Sequence, residues 1–493
     1  MNLSLSDKLN HILESISSLY AEGWLAVLFI ALIIIELFLS NKKKLILGLV
    51  ALIGLAFNFF LIQKAGTSHE APFMLGLLTI HKGTIFFKNL FNFSGILVIL
   101  MMMFSGDKKQ EDYKNYGEFY SLFIAIILGL NLMTMANNLL MVYLSIELVS
   151  ITSYVLTVFK FDKKGAEGGL KYLLFGTISS GVMLYGMSLL YGFSGSLILS
   201  EIAIQLAHVP TVPIIIALGM TFGGLFFKIS AAPFHIWTPD VYEAAPTPLV
   251  AFFSVAPKAA GIAVLLTFLQ GFESFIQDEK AIIYLLGFVA GLSILIGNFS
   301  AIWQKSAKRM LAYSSIAHSG FLLLAIIPFS ASGYSSLYFY LSIYVFMNFA
   351  SFLFIQFFEE KSGDDQMEKM QGLGLTNPLT GILITVVMIA LTGLPITAGF
   401  TAKLFVFSSL WEAYQNSGEG FMLALFLFGL FNTLIALFYY LKIPFFMFFR
   451  QNENQHFTVQ PLQTAFLILL TLPLLIFFFK PDLLTGFFNA FLF

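Results

Sequence analysis

The sequence has no cysteine and few charged side chains. Charged residues make up 11% of the 493 residues, whereas about 25% is usual for a soluble domain. The lack of cysteine excludes disulfides, thiolate metal sites and cysteine-bound iron–sulfur clusters on this chain. A formal net charge of -1 gives no reason to expect a nucleic-acid partner or an acidic substrate.

Apolar sequence fills most of the chain instead. Hydrophobic residues make up 58% of it, and many runs reach the length of about 20 residues that a helix needs to cross a bilayer. Runs such as FIALIIIELFL lack the alternating polar residues of a membrane strand, and a helix satisfies its own backbone in lipid. The sequence therefore predicts an all-α polytopic membrane protein, preceded by a short extramembrane segment over residues 1–23. The fourteen predicted spans are 24–40, 45–63, 85–105, 117–135, 137–159, 169–192, 212–240, 248–270, 281–300, 309–329, 335–358, 379–410, 420–447 and 463–486.

Lysine and arginine are distributed unequally among the predicted loops. The loops after even-numbered spans hold little beyond Lys64, Lys82 and Lys280. Because basic loops stay on the cytoplasmic side of a membrane, we expect both termini on the opposite, periplasmic side. The basic residues after odd-numbered spans lie in NKKK (41–44), DKKQEDYK (107–114), KFDKK (160–164) and KSAKR (305–309), and at Lys361, Lys369 and Arg450.

Two predicted spans, the seventh and the twelfth, are too long for one helix, and both contain an interruption. The seventh reads KISAAPF (228–234) at this point, and the twelfth reads LPITAGF (394–400). Each is the fourth span of a five-span unit, and an odd number of spans inverts the second unit relative to the first. Interrupted helices at matching places in inverted repeats indicate a transport pathway. The predicted domains are spans 1–3 (1–115), the first repeat of spans 4–8 (116–270), the second, inverted repeat of spans 9–13 (281–450) and span 14 (451–493).

Five of the ionisable side chains inside predicted spans are candidate functional residues, because each costs about 2.5–3.5 kcal/mol there if it is left unpaired. Removal from water opposes the charge of a lysine, and a nearby carboxylate favours it. Glu147 and Lys228 therefore form a predicted pair in which the separation sets the proton affinity of the lysine. Lys258 and Lys403 are interpreted as further proton sites. The five residues are Glu147, Lys171, Lys228, Lys258 and Lys403.

Lys171 and two histidines, His235 and His318, have an ordinary structural interpretation as well as a functional one. Lys171 lies about one turn from a cytoplasmic loop, so its ammonium can reach the membrane surface along its alkyl stem. His235 and His318 are hypothetical proton sites, and ordinary hydrogen-bonded histidines are the alternative. Pro233 and Pro395 free backbone carbonyls that water or a lysine can satisfy, which predicts polar contacts at the interruptions.

One long stretch that begins in the first interruption resembles a known family. The sequence APFHIWTPDVYEAAPTPLVAFFSVAPKAAGIAVLL (232–266) resembles the core of the antiporter-like subunits of respiratory complex I. The elements SIEL…SYVL and SVAPKAAG are most similar to the N type of these subunits. The M type has a glutamate where this chain has Lys403, and the L type has a long lateral helix that is not expected here. The other resembling stretches, which extend the match to about residues 120–450, are LSIELVSITSYVLTVF (144–159), GGLKYLLFGTISSGVMLYGMSLLYG (168–192), RMLAYSSIAHSGF (309–321) and TGLPITAGFTAKLFVF (392–407).

The resemblance implies fourteen helices with two inverted five-helix repeats, and proton translocation with no redox centre on this chain. It implies a charge-pair carboxylate at Glu147, its lysine partner at Lys228, a central relay at Lys258 and a relay towards the second half-channel at Lys403. It implies no cofactor here, with NADH, FMN, iron–sulfur clusters and quinone used by other subunits. The implied partners are the bilayer of a bacterial inner membrane, M-type and small K-type subunits, and the lateral helix of an L-type subunit.

Other functions are compatible with the same residues. A subunit of a multisubunit cation/proton antiporter or of a membrane-bound hydrogenase shares the lysine pattern, and the proteins that co-purify with the chain would separate these possibilities. A stand-alone solute carrier is a third hypothesis, but the pathway residues include few amide or hydroxyl clusters that could bind a solute. An inert scaffold is the fourth, and the buried charges argue against it.

Overall fold

The computed structural model describes residues 5–39, 43–65, 72–104, 116–206, 209–450 and 459–492. The regular elements among these residues are all helices, and short extended segments between them form isolated β-bridges rather than a sheet. The helices of the first half are α1 (Leu5–Ser15), α2 (Tyr20–Phe38), α3 (Lys43–Ala65), α4 (Lys82–Phe104), α5 (Tyr116–Met135), α6 (Leu139–Thr157), α7 (Lys163–Ser194), α8 (Leu199–Gln205), α9 (Thr211–Lys228), α10 (Thr238–Ala244) and α11 (Thr247–Gly271). The helices of the second half are α12 (Glu273–Asp278), α13 (Ala281–Ile302), α14 (Ala307–Ile326), α15 (Ala331–Ser362), α16 (Leu373–Thr376), α17 (Pro378–Thr392), α18 (Ala398–Ser417), α19 (Gly420–Tyr440), α20 (Lys442–Phe449), α21 (Pro461–Phe479) and α22 (Asp482–Leu492).

The helices have the length and the apolar surface of membrane spans. Within the described ranges, thirteen helical stretches are long and apolar enough to cross a bilayer, which confirms the predicted all-α polytopic membrane protein. In α11 every residue from Thr247 to Leu266 is buried. α2, in contrast, exposes apolar side chains such as Ile30, Ile34 and Phe38. Its outer face therefore has the composition of a surface that contacts lipid or a neighbouring membrane helix.

The predicted twelfth span is absent from these thirteen stretches of the described chain. It consists of α17, which has 15 residues, and α18, which has 20 residues and carries Lys403 and Glu412. The predicted total of fourteen spans therefore stays a prediction. Two other spans are longer than the predicted ranges 169–192 and 335–358, because α7 and α15 each continue to 32 residues.

The start of the first span differs from the prediction. α2 begins at Tyr20, and Glu22, which the sequence places in an extramembrane segment, is only 4% exposed. The reason is an ion pair: Glu22 Oε1 lies 2.9 Å from Nζ of Lys88 in α4. A polar residue near a helix end is therefore part of the packed protein here, because its partner lies on another helix.

The seventh span is interrupted where the sequence predicts. α9 ends at Lys228, residues 229–237 lie in turns, and α10 begins at Thr238. Pro233 lacks a backbone N–H and disfavours a helical conformation in the residue before it. The interruption leaves the Lys228 ammonium at the C-terminal end of a helix, where the helix dipole favours positive charge.

The predicted interruption of the twelfth span is also present. α17 ends at Thr392, and α18 begins at Ala398. Gly393 follows the last helical residue with φ +85, the left-handed conformation that commonly ends a helix. Pro395 comes two residues later and prevents an immediate restart of the hydrogen-bond ladder. The interruption therefore leaves carbonyl groups at the end of α17 without helical partners.

The chain forms two compact units. The first contains described residues within 1–103, 111–229 and 256–282, and the second contains those within 104–110, 230–255 and 283–493. Residues 230–255 belong to the second unit because α14 and α15 hold them: Arg309 Nη1 lies 2.8 Å from Asp240 Oδ1, and Thr247 Oγ1 donates to Glu359 Oε2 at 2.5 Å. The predicted domains place this segment in the first repeat, and that division stays a prediction.

Candidate functional site

Lys228 is buried at the end of α9 and is held by a hydroxyl group. It is 2% exposed, and its Nζ donates to Ser150 Oγ at 3.1 Å. Ser150 lies on α6 about one turn after Glu147, and the charge of Glu147 acts on Lys228. Within the described residues the two form no ion pair, and Oε1 of Glu147 is enclosed without a hydrogen-bond partner. Glu147 and Lys228 are thus electrostatic neighbours without direct contact.

Lys258 lies on a helix face that packs against the end of α9. It is 1% exposed and follows Pro257 in α11. A Cβ added to Gly261, one turn later on the same face, would lie 2.6 Å from Ile229 Cγ2 and 3.6 Å from Lys228 Cβ. The missing side chain at Gly261 therefore lets α11 approach α9 closely. The structure brings Lys228 and Lys258 onto contacting helices of the first unit.

Lys403 is buried at the interruption of the twelfth span. It is 4% exposed, and its Nζ donates to the carbonyl oxygens of Thr392 at 2.7 Å and Leu391 at 3.4 Å. The ammonium also lies 4.6 Å from the ring centroid of Phe321, a cation–π distance. The prediction that a lysine satisfies freed carbonyls is therefore confirmed at this interruption.

His318 joins two tyrosines in the second unit, one turn before Phe321 on α14. Its Nδ1 lies 2.7 Å from the hydroxyl of Tyr340, and its Nε2 lies 3.0 Å from the hydroxyl of Tyr440. Ser314 hydrogen-bonds to the same Tyr440 hydroxyl. Imidazole and hydroxyl groups both donate and accept hydrogen bonds, so Tyr340, His318, Tyr440 and Ser314 form a continuous hydrogen-bonded series.

A second set of hydroxyl groups lies beside this hydrogen-bonded series, and the sequence does not predict it. Tyr344 donates to Ser315 Oγ at 3.1 Å, and the Tyr242 hydroxyl lies 3.2 Å from the same oxygen. The rings of His318 and Tyr344 have centroids 4.8 Å apart. Tyr242 lies on α10 and Ser315 on α14, so the hydroxyl groups also connect the short helix after the first interruption to the helix that carries His318.

His235 and Lys171 lie in different surroundings. His235 is in the interruption of the seventh span, and its Nδ1 is enclosed without a hydrogen-bond partner among the described residues. Lys171 forms an ion pair with Glu167 at 2.8 Å, and their side chains are 38% and 63% exposed. An exposed pair of this kind contributes about 0–1 kcal/mol. The geometry of Lys171 favours its structural interpretation.

Two buried ion pairs have no counterpart among the sequence predictions. One is Glu22 with Lys88, and the other is Lys308 with Glu359, whose Nζ and Oε1 are 2.6 Å apart. The sequence does give an indication for Lys88, because it is the one charged residue inside the predicted span 85–105. Lys308 and Glu359 each lie one residue outside a predicted span, so the sequence assigns them to loops.

The buried lysines differ in their hydrogen-bond partners, and the partner decides whether a lysine can lose its proton and still be held in place. Lys88 and Lys308 contact carboxylates, which stabilise the charged ammonium. Lys228 and Lys403 contact a hydroxyl oxygen and carbonyl oxygens, which accept a hydrogen bond from an ammonium or from a neutral amine. These two lysines can therefore release a proton and keep their partners. Across the described ranges, no group of three or more His, Asp or Glu side chains could hold a metal ion.

The sequence is similar to that of known membrane proteins over most of its length. The model of the family described as NADH:quinone oxidoreductase/Mrp antiporter, TM, matches residues 136–435. The chain belongs to this family. The matched region contains both interruptions and the four lysine and glutamate residues of the predicted relay, so the resemblance seen in the sequence is confirmed.

Relatives within this family extend the match beyond the family region. NADH-quinone oxidoreductase subunit N of Chlorobium chlorochromatii is 36% identical over 477 residues, which cover 94% of this chain and 92% of the relative. NAD(P)H-quinone oxidoreductase subunit 2 of Synechocystis is 36% identical over 441 residues, which cover 88% of this chain and 82% of the relative. The similarity thus extends beyond the 300 residues of the family match at 136–435.

Solved structures share the fold. A chain of respiratory complex I from Thermus thermophilus with bound Aureothin has a TM-score of 0.78 and 29% identity, covering 94% of this chain and 98% of that chain. A chain of the membrane-bound sulfane sulfur reductase, an archaeal respiratory membrane complex, has a TM-score of 0.82 at 24% identity, covering 97% and 96%. The second likeness concerns the fold alone.

Proposed function

We propose that this chain is the N-type membrane subunit of an NADH:quinone oxidoreductase and that it translocates protons while the redox chemistry takes place on other subunits. The names of its relatives support the assignment to such a complex. The sequence supports the division of labour, because a chain without cysteine cannot hold a cysteine-bound iron–sulfur cluster.

The observation that carries the proposal is the set of neutral partners around the buried lysines. Lys228 donates to a hydroxyl oxygen and Lys403 to carbonyl oxygens. A lysine held in this way keeps its hydrogen bonds whether it is charged or neutral. Lys308, in contrast, is held by a carboxylate and is suited to constant charge. Burial opposes the charge of a lysine, so Lys228 and Lys403 are suited to proton transfer.

The proposed route uses residues of both units. In the first unit, Glu147 is the carboxylate that modulates Lys228, and Lys258 on the adjoining helix α11 is the next proton site. In the second unit, His318 with its tyrosine partners leads toward Lys403, since Phe321 on the same helix contacts the Lys403 ammonium. We further propose that spans 4–8 and 9–13 are the two inverted repeats, with the interrupted spans at matching positions.

The proposal also includes the surroundings of the chain. It places the protein in a bacterial inner membrane with both termini on the periplasmic side, as the distribution of basic loops indicates. Its partners would be M-type and K-type membrane subunits and the lateral helix of an L-type subunit. FMN, iron–sulfur clusters, NADH and quinone would be used by other subunits of the complex.

A cation/proton antiporter or a related respiratory membrane complex is the second candidate. The observation that favours it is the family description, which names the Mrp antiporter beside NADH:quinone oxidoreductase. A chain of the Mrp complex from Dietzia shares the fold with a TM-score of 0.78 at 18% identity, and the sulfane sulfur reductase chain shares it with a TM-score of 0.82. Both likenesses concern the fold alone. The buried lysines serve proton transfer in either assembly, so the partner proteins distinguish the two candidates.

The test is to purify the chain from its own membranes in mild detergent, identify the co-purifying proteins and reconstitute the complex in vesicles. We expect flavin and iron–sulfur subunits to co-purify, and quinone reduction by NADH to be accompanied by proton uptake. Recovery with small antiporter subunits and no flavoprotein would favour the second candidate. Quinone reduction without proton uptake in tightly sealed vesicles would contradict the proposed translocation.

A further inference from the structure

A second buried acid–base cluster lies in the N-terminal helices, outside the proposed proton route. Glu22 on α2 and Lys88 on α4 are 4% and 2% exposed, and their Oε1 and Nζ atoms are 2.9 Å apart. Asn131 on α5 donates from Nδ2 to the same Glu22 oxygen at 3.2 Å. Three helices therefore meet at one carboxylate oxygen.

Several polar atoms of this cluster have no hydrogen-bond partner within the described residues. They are Glu22 Oε2, Asn131 Oδ1 and Ser18 Oγ, and both Asn131 and Ser18 are fully buried. Glu22 Oε2 belongs to the carboxylate that pairs with Lys88, and Asn131 Oδ1 belongs to the amide that donates to the same carboxylate. Ser18 lies about one helical turn before Glu22. A buried polar atom without a hydrogen-bond partner is destabilising, so the cluster is suited to a ligand that pairs with these atoms.

An apolar layer covers the cluster on the side where α2 and α4 begin and α5 ends. On α2, Ala21 precedes Glu22 by one residue. On α4, Ile85 precedes Lys88 by about one turn. On α5, Met135 follows Asn131 by about one turn and is the last residue of the helix. Ala21, Ile85 and Met135 pack in one core with side chains from the loop between α3 and α4. The loop residues of that core are Phe73, Leu78 and Ile80.

The same loop has a costly turn. Met74, Leu75 and Gly76 have φ values of +52, +58 and +86, and the left-handed conformation is unfavourable for the two residues that are not glycine. The packing of Phe73 and Leu78 offsets this cost. The loop is therefore held over the cluster by its apolar contacts, which separate the cluster from the end of the bundle.

The chemistry of the unpaired atoms selects the ligand. A metal cation would be repelled by the Lys88 ammonium, and an anion would be repelled by the Glu22 carboxylate. The Lys88 ammonium has three N–H donors and one carboxylate partner, and the carboxylate and amide oxygens need donors. A water molecule accepts one hydrogen bond and donates two, and buried waters typically make about three hydrogen bonds.

From this match we infer that Glu22, Lys88 and Asn131 form a buried water-binding site, with Ser18 at its edge. The water would accept a hydrogen bond from Lys88 and donate to Glu22 Oε2 and Asn131 Oδ1. The N-terminal helices would thereby contain an acid, a base and a water molecule apart from the lysines at 228, 258 and 403. This inference does not depend on the proposed function.

Two methionines of equal burial provide the test. Met135, one turn after Asn131, and Met388 on α17 are both 0% exposed. X-ray radiolysis of the purified complex produces hydroxyl radicals from bound water, and the radicals oxidise methionines near it. We expect Met135 to be oxidised several-fold faster than Met388, as measured by peptide mass spectrometry. In Asn131→Leu, which removes one acceptor and fills its space, the Met135 rate should fall to that of Met388.

A density map of the wild-type complex that resolves ordered water gives an independent answer if Asn131→Leu does not assemble. We expect a peak at about 2.7–3.2 Å from Lys88 Nζ, Glu22 Oε2 and Asn131 Oδ1. The inference is overturned if the site is empty and Met135 and Met388 react at the same rate. A peak at the shorter oxygen distances of a metal ion would also overturn it, because the ligand would then be a cation.

Discussion

Lys403 occupies the space that a side chain at Gly393 would need. A Cβ at Gly393 would lie 2.6 Å from Lys403 Cδ, and Lys403 Nζ donates to the carbonyl of Thr392, the residue just before this glycine. The glycine thus leaves room for the lysine, and the lysine satisfies the carbonyl that the helix end leaves free. The interruption and the buried charge depend on each other.

Gly393→Ala should therefore be more damaging than alanine at an otherwise similar glycine. Gly418, which follows α18, has φ +69 and meets nothing within 4 Å among the described residues. Gly418→Ala should cost only the conformational strain, about 1–2 kcal/mol. Gly393→Ala adds a steric clash and displaces Lys403, so proton uptake by reconstituted vesicles should fall along with the thermal stability of the complex. Equal effects of the two variants would contradict this interdependence.

Lys228→Arg should leave the complex assembled but remove most of its proton translocation, much as Lys228→Ala does. The partner of Lys228 is a neutral hydroxyl, so a fixed positive charge is not required for binding. Arginine stays protonated in proteins and cannot complete a cycle of release and uptake. The measurement is NADH-driven quinone reduction together with proton uptake. Lys171→Arg is the matched control, because Lys171 is exposed and paired with Glu167. Wild-type translocation by Lys228→Arg would leave Lys228 a structural role only.

Glu147→Gln and Glu359→Gln should separate function from stability. Glu147 Oε1 has no hydrogen-bond partner among the described residues, so the nearly isosteric amide should preserve assembly and reduce the number of protons taken up per quinone. Glu359 contacts Lys308 and Thr247. Its replacement leaves a buried lysine unpaired, at a cost of about 3–5 kcal/mol, and should lower the yield and melting temperature of the complex. Normal proton uptake by Glu147→Gln would count against its role beside Lys228.

The predicted orientation can be tested with single cysteines, because the natural sequence has none. Lys163 at the start of α7 and Glu201 on α8, after the end of α7, are both exposed. The 32 residues of α7 span about 48 Å at 1.5 Å per residue, so its ends should lie at opposite membrane faces. A membrane-impermeant maleimide should label Lys163→Cys from the cytoplasmic side and Glu201→Cys from the periplasmic side. The reverse labelling would invert the predicted topology.

The helices and their interruptions can be predicted from the sequence because their causes are local. Apolar runs of sufficient length give the spans, and Pro233 and Pro395 give the interruptions. The contact of Lys403 with helix-end carbonyls follows from the same reasoning, since a freed carbonyl needs a donor. Its exact partners do not follow, because they depend on the conformation of Gly393.

The buried ion pairs could not be predicted, because their causes are not local. Glu22 resembles a solvent-exposed residue near a helix end until α4 brings Lys88 against it. Lys308 and Glu359 lie at the margins of apolar runs, where hydropathy alone assigns a charge to a loop. The pairing of such residues depends on which helices pack together, and the sequence of one chain does not contain that information in a local pattern.

The two ring nitrogens of His318 each hydrogen-bond to a tyrosine hydroxyl, and the two bonds must run in opposite directions. In the neutral ring one nitrogen carries hydrogen and the other accepts, so one of Tyr340 and Tyr440 accepts a hydrogen bond from the ring and the other donates one to it. A proton that arrives at one nitrogen and leaves from the other converts one tautomer into the other. Both hydrogen bonds then reverse together. If His318 passes protons as proposed, the ring must return to its first tautomer before a second proton can pass the same way, so each transfer would need a separate reset step.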